Sequence, residues 1–267
     1  MGGASTVYLT DTTADSTMPG MNTDHFTAVA KQYVLSRPTY PPELFAWLAQ
    51  ASSGRDLAWD VGAGNGQASV ALAAHFAKVL ATDLSEAQIA QAMPHPRIEY
   101  RAAPADRSGL PDASADLVTV AQALHWFDLD AFYAEVRRVL KPGGLIAAWT
   151  YGVLHVEGEA VEARVSHFYH RVVGPYWPAE RRHVESAYAE LPFPFAEVAS
   201  PAFAIRLSWT LDDLLGYCRS WSATSRCQSA TGSDPVVALE AELTPVWGER
   251  TQRRQVTWPI AMRVGIR

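Results

Sequence analysis

The sequence predicts an α/β fold built on a doubly wound parallel sheet, and three observations predict it. Leu57-Ala58-Trp59-Asp60-Val61 is an apolar run broken by one acid and followed by the alternating glycines Gly62, Gly64 and Gly66. A buried parallel strand has that largely apolar character, and such a turn lets a ligand reach bare backbone. From Gln67 to Phe76 the apolar residues Val70, Leu72, Ala73 and Phe76 fall at helical spacing. Strand-like runs then recur near 57–61, 78–82, 97–101, 116–121 and 145–150, alternating with helical segments.

Taken in chain order, residues 1–23 are rich in Thr, Ser, Gly and Asp and read as a flexible arm. Val7-Tyr8-Leu9 is its one apolar step, and Tyr8 is the residue expected to dock over a bound ligand. Residues 24–267 read as a single domain. Two helices are expected between Thr23 and Gln50, broken at Arg37-Pro38 and restarted after Pro41-Pro42, where proline suits a first helical turn. Beyond the five core strands, Glu159 to Val173 reads as a helix ended by Tyr176-Trp177-Pro178, and residues 180–190 as a shorter one. Residues 203–209 alternate as a strand, Leu211 to Trp221 and Asp234 to Trp247 read as helices, and 256–264 as a last strand. Pro259 has no ladder donor and is expected near the start of that strand.

Composition narrows the function. A chain of 267 residues, 48% apolar, can bury a substantial core. The net charge of −6 and the lack of a basic stripe argue against nucleic acid, the Arg181-Arg182 and Arg253-Arg254 pairs being too short to count. No apolar run is long enough to cross a membrane, and the start lacks a signal-peptide pattern. The two cysteines, Cys218 and Cys227, lie in a polar segment without metal-ligand spacing. A reducing, cytoplasmic location is expected, with no metal, and a bridge between the pair stays open if geometry allows.

The glycine spacing separates two ligands. A dinucleotide turn reads G-x-G-x-x-G, whereas here the third glycine comes one place early at Gly66 and Gln67 takes its position. The turn therefore suits a ligand with no pyrophosphate. Lys78-Val79-Leu80-Ala81-Thr82-Asp83 is a second short strand ending in an acid, about 20 residues on, where a carboxylate accepts ribose hydroxyls.

These residues resemble the class I S-adenosylmethionine-dependent methyltransferases. Asp60-Val61-Gly62-Ala63-Gly64-Asn65-Gly66 is similar to their first motif and Asp83-Leu84-Ser85 to their second. Pro104-Ala105-Asp106, then Leu110-Pro111-Asp112 and Ala115-Asp116-Leu117-Val118, resemble the adenine-side motif and the strand after it. The runs Ala121 to Asp128 and Arg137 to Gly144 complete the set. Tyr33 to Pro41 and His125-Trp126-Phe127 resemble the small-molecule branch, that of methyltransferase type 11 and trans-aconitate methyltransferase-like proteins. One departure is Asp106, where the family more often has the longer glutamate.

The resemblance implies a Rossmann-like, seven-stranded sheet whose last strand is antiparallel, with a helical lid inserted at about 151–200. It implies S-adenosyl-L-methionine as cofactor. Asp60 would hold the glycine turn and face the cofactor's ammonium, above the backbone of Gly62, Ala63, Gly64 and Gly66. Asp83 and Leu84 would meet the ribose side, Ala105 and Asp106 the adenine, and the carbonyls of Ala121 and Gln122 the methionine part. Tyr33 and Arg37 would fold over the cofactor, the guanidinium facing its carboxylate. The plainer alternatives are an ordinary tight turn for the glycines, a loop cap for Asp106 and a surface arginine at 37.

Methyl transfer from a sulfonium is an in-line displacement that needs alignment and exclusion of water more than a catalytic group. His125, directly after the fourth strand, is either the best general-base candidate or a histidine packed on Trp126. Among nine tryptophans, core packing is the default. Trp177, Trp209, Trp221, Trp247 and Trp258, with Tyr151, Tyr169 and Tyr176, could instead line a flat slot under the lid. Tyr8, Trp126, Tyr151, Trp177 and Trp221 are the substrate candidates, and such a slot favours a planar heteroaromatic acceptor, as in azapteridine N-methyltransferases of the toxoflavin type. The expected function is N- or O-methylation of a small metabolite in secondary metabolism. The alternatives are a carboxyl O-methyltransferase of the trans-aconitate type or a non-catalytic cofactor-binding subunit. A nicotinamide oxidoreductase is disfavoured by the glycine spacing.

Overall fold

In the computed structural model, which describes residues 38–267, the five strand-like runs form strands β1 Leu57–Val61, β2 Lys78–Asp83, β3 Ile98–Ala102, β4 Ala115–Ala121 and β5 Leu140–Tyr151. Neighbouring strands among these five pair in parallel. They precede two bridges, β6 His155–Val156 and β7 Ala196–Glu197, and two long strands, β8 Phe203–Trp209 and β9 Arg254–Ile266. The order is β3-β2-β1-β4-β5-β9, with β8 and the two bridges also pairing with β9. β9 runs antiparallel to β5, with Leu145 opposite Ile266, and β8 runs antiparallel to β9. The expected seven-stranded sheet with an antiparallel last strand is present, and the two bridges add to it. Strand order reverses between β1 and β4, so a crevice opens at their carboxyl ends.

Alternation along each strand feeds two cores. Ala58 and Trp149 join Leu44, Phe45 and Leu48 of α1 Pro42–Ala51 and Leu72 of α2 Gln67–Ala73 on one face. Trp59, Val61 and Val118 meet Phe132, Val136 and Val139 of α4 Leu129–Val139 on the other. The short α3 Glu86–Ile89 lies between β2 and β3 in sequence. Proline opens α1 at its first turn, as expected. The Asp128 carboxylate caps α4, and Arg137 and Arg138 occupy its negative end.

After β5 come α5 Glu159–His167, a π turn at Phe168–Val172, α6 Arg181–Glu185, α7 Leu211–Arg219, α8 Ser222–Thr231 and α9 Pro235–Trp247. Three sequence expectations need correction here. The segment holding Cys227 is the helix α8, whose buried face is only Ala223, Thr224 and Cys227. Its serines and threonines hid the helix. Cys218 and Cys227 are free thiols buried in the core, so the bridge left open between them is not formed. Pro259 stands inside β9 opposite Ala204, not near the strand's start. β9 gains β5 as a second neighbour only from Ile260 onward, so the proline falls where the β5 side of the ladder has ended.

The expected aromatic slot is also smaller than the residue list suggested. Trp209, Trp247 and Trp258 are core residues. Trp209 and Trp258 pack edge to face at 5.0 Å, with Tyr217 against both. Large ring area decided this in favour of burial. Among the described residues no helix is long and apolar enough to cross a membrane.

Candidate active site

The turn after β1 is shaped by glycines in the left-handed region, with φ of +66° at Gly62 and +85° at Gly66. A Cβ at Gly62 would stand 2.5 Å from the Ala123 Cβ and 3.2 Å from Phe127, and one at Gly66 would strike the Tyr100 ring. Bare backbone is therefore required on both counts. The turn is tied to β2: Ala63 N–H donates to the Thr82 carbonyl at 2.9 Å, and Gly64 N–H to Asp83 Oδ2 at 2.8 Å. The other Asp83 oxygen accepts from Ser85 N–H at 2.9 Å. Its carboxylate thus sits at the junction of turn and strand with lone pairs left over.

Above this junction lies a cleft of about 360 Å³ lined by Gly62, Asp83, Leu84, Ala105, Asp106 and Phe127, among others. Its size falls in the range of small-molecule sites. Leu84 is 79% exposed and Trp126 62% exposed, so both present bare apolar surface at this cleft. Of the expected cofactor residues, Gly62, Asp83, Leu84, Ala105 and Asp106 line the cleft together. Ala63, Gly64 and Gly66 build the turn behind it. Ala121 ends β4, half-buried and packed against the core. Tyr8, Tyr33 and Arg37 lie outside the described residues.

Asp60 sits under the turn, not on the cleft surface. It is fully buried, and its oxygens accept from Ser69 Oγ at 2.6 Å and Thr119 Oγ1 at 2.9 Å. Burial raises its carboxyl to about 6, against the lowering effect of those two hydroxyls. It ties β1 to α2 and β4, so the reading in which it holds the turn fits its position. For its other expected role, facing the cofactor's ammonium, the carboxylate is fully buried, with one hydrogen bond at each oxygen.

A second cavity, about 230 Å³, lies beside the first and is lined by Gln122, His125, Trp126, Trp177, Pro178, Arg181, Val184 and Ser222. Trp126 belongs to both cavities. Gln122 closes β4 with φ +63°, strained for a residue with a Cβ. Its N–H donates to the Trp149 carbonyl, its Nε2 to the Tyr151 carbonyl, and its Oε1 accepts from Thr150. These three bonds to β5 hold the strained backbone in place. Trp177 packs at 5.7 Å on Trp221, which forms a second row with Tyr169 and Tyr217. Tyr151 lies farther along β5 against Tyr40. Trp126 and Trp177 therefore face the cavity, while Trp221 and Tyr151 support from outside its lining.

His125 packs on Trp126 at 4.7 Å and also lines the cavity, so the packing and the site readings describe one position. Its Nδ1 lies 3.1 Å from the Tyr188 hydroxyl. Burial, with His183 and Arg181 nearby, lowers its pKa to about 4, so the ring is neutral at physiological pH. Tyr188 is fully buried and follows Ala187 in two consecutive left-handed residues, φ +55° and +61°. Burial pushes its phenol well above the usual range, so it keeps its proton. Tyr188, Arg181 and Ser222 were not among the expected site residues, and Phe127 entered only within the run His125-Trp126-Phe127. Arg181 was visible only as half of a short basic pair, and Tyr188 carried no signal. Among the described residues no group of three or more His, Cys, Asp or Glu is placed to hold a metal.

A sheet of this order, a glycine turn after β1 and an acid ending β2 are features of the class I methyltransferase fold. The comparisons agree. Residues 59–148 match the family described as a methyltransferase domain. A Dictyostelium discoideum protein with the provisional name of methyltransferase is 34% identical over 223 residues, covering 82% of this chain and 85% of its own. A solved structure from Anaeromyxobacter dehalogenans, provisionally a type II methyltransferase, superposes with a TM-score of 0.83 at 48% identity, over 86% of this chain and 97% of that one. An uncharacterized Mycobacterium tuberculosis methyltransferase is 38% identical over 120 residues, 45% of this chain and 49% of its own length. The chain belongs to the class I S-adenosylmethionine-dependent methyltransferases.

Proposed function

We propose that this chain transfers a methyl group from S-adenosylmethionine to a nitrogen or oxygen of a small planar acceptor seated against Trp126 and Trp177. The observation that carries this reading is the adjacency of the two cavities across the shared indole of Trp126. The first has the turn, the acid and the flat apolar edges that suit an adenosine group. The second has aromatic walls and few charges. When bound, S-adenosylmethionine supplies a sulfonium methyl group open to in-line attack.

The residues then divide the work. Asp83 accepts the ribose hydroxyls, Leu84 and Ala105 flank the base, and the backbone of Gly62 allows close approach. Gln122 fixes the end of β4 between the two cavities, and the indoles of Trp126 and Trp177 orient the acceptor and exclude water. His125 is neutral and so is free to accept a proton. Which ring nitrogen does so follows from Tyr188: if the phenol accepts from Nδ1–H, Nε2 is the open acceptor. A heteroaromatic acceptor of the secondary-metabolite kind fits the flat walls.

The test is incubation with labelled cofactor and a panel of planar heteroaromatics, alongside calorimetry with S-adenosylhomocysteine. Binding of S-adenosylhomocysteine with transfer to at least one panel member is the expected result. Absence of cofactor-product binding would overturn the reading. Binding without transfer to any acceptor in a metabolite extract would instead point to a non-catalytic subunit.

A further inference from the structure

We propose that Arg181 makes the second cavity selective for planar anions, its guanidinium holding an anionic oxygen of the acceptor whose ring lies on Trp177 and Trp126. The proposal rests on the reading of that cavity as the acceptor site and names the chemical class it takes. Arg181 is half-buried at the start of α6, with its guanidinium carbon 4.8 Å from the Trp177 ring centre and 5.7 Å from that of Tyr169. Stacking of this kind leaves the edge of the guanidinium fork to donate in plane. One donor is used: Nε donates to the Tyr169 hydroxyl at 2.8 Å, and that hydroxyl donates to Glu185 at 2.7 Å.

Among the described residues no carboxylate lies within ion-pair distance of Arg181. Arg138, Arg219, Arg250 and Arg263 all have one. Glu185 reaches Arg181 only through the tyrosine, and no acidic residue lines the cavity. The lining is instead rich in donors. The Trp177 indole N–H is buried without a partner, and Ser222 offers a hydroxyl. A half-buried, permanently charged guanidinium beside an unsatisfied indole donor is complementary to an acceptor-rich anion and repels a cationic amine. The walls of Trp126 and Trp177 add the requirement for flatness. A carboxylate on a conjugated ring and a ring-borne enolate share this chemistry.

The test uses 2-naphthoate and its neutral isostere 2-naphthamide as probes, titrated into the full chain with and without S-adenosylhomocysteine. Naphthoate should bind about tenfold or more tighter than naphthamide, the scale of one charge-assisted pair. Arg181→Gln should abolish that preference, and Arg181→Lys should retain part of it. Both variants should keep the wild-type unfolding temperature and S-adenosylhomocysteine affinity, which shows that fold and cofactor cleft are intact. Equal affinity for the two probes, no naphthoate binding at millimolar concentration, or a preference that survives in Arg181→Gln would each overturn the proposal. Failure of S-adenosylhomocysteine binding would strike the methyltransferase reading instead, and the titrations without it still decide the role of Arg181.

Discussion

Replacing Asp83 with alanine strips a carboxylate from the wall of the cleft at the point where turn and strand meet. In the structure its two oxygens each accept one backbone N–H, from Gly64 at 2.8 Å and Ser85 at 2.9 Å, and each keeps capacity for a ribose hydroxyl. Hydrogen bonds to a charged group contribute about 1.5–3 kcal/mol each. Two of them amount to about 3–6 kcal/mol, or roughly a hundredfold to ten-thousandfold in Kd. The loss of the two backbone contacts costs less, about 1 kcal/mol each, because these amides lie where water can replace the carboxylate. Asp83→Ala should therefore remain folded while losing most affinity for S-adenosylhomocysteine. Calorimetry measures the affinity, and thermal unfolding of the same sample checks the fold. Asp83→Asn should fall between, since it retains an acceptor but no charge. An unchanged dissociation constant in a folded Asp83→Ala protein would refute the assignment of the cleft.

Three further outcomes follow from the same geometry. Gly62→Ala should abolish S-adenosylhomocysteine binding and lower stability by about 1–2 kcal/mol from the left-handed backbone alone, more once the 2.5 Å approach to Ala123 is relieved; calorimetry and denaturant titration measure both. His125 has a folded pKa near 4, below its unfolded value, so the native state binds fewer protons than the unfolded one between about pH 4 and 6.5. Its contribution to stability is complete above that window and is lost as pH falls through it, so His125→Leu should show a shallower fall in Tm with acid than the wild type, while turnover drops about 100-fold if the ring takes the acceptor's proton. Normal turnover across pH 6–9 would leave His125 a packing residue. Glu135 is buried and, despite the upward push of burial, held at about 2 by bonds from Arg138 and Ser108; Glu135→Ala should cost about 1–2 kcal/mol in a urea titration, because buried Ser108 loses its acceptor, while Arg138, more than a third exposed, keeps Asp112.

The residues that were legible in the sequence carry their chemistry locally. The turn needs left-handed backbone at Gly62 and Gly66, and only glycine adopts it without strain, so the positions announce themselves. Asp83 is legible because a strand end fixes where its carboxylate stands relative to the preceding turn. The central strands β1 and β4 are legible because burial on both faces forces near-continuous apolar runs. By contrast, Pro259 and Cys227 misled, since their places depend on which neighbours a strand or helix acquires. The tryptophans misled for the same reason: a ring reads alike in sequence whether it lines a slot, like Trp177, or fills a core, like Trp258.

The sequence by itself determined the class of fold, the glycine turn beneath the first cleft and the absence of a dinucleotide turn, because each rests on backbone conformation and periodicity within a short span. Tertiary structure alone decided the second cavity. It brings Tyr188 onto His125 across 63 residues of chain and sets Arg181 on Trp177 without a carboxylate partner among the described residues. It also turns Asp60 inward to Ser69 and Thr119. Contacts of that kind follow from how separate segments of the chain pack against one another, and no local pattern encodes them.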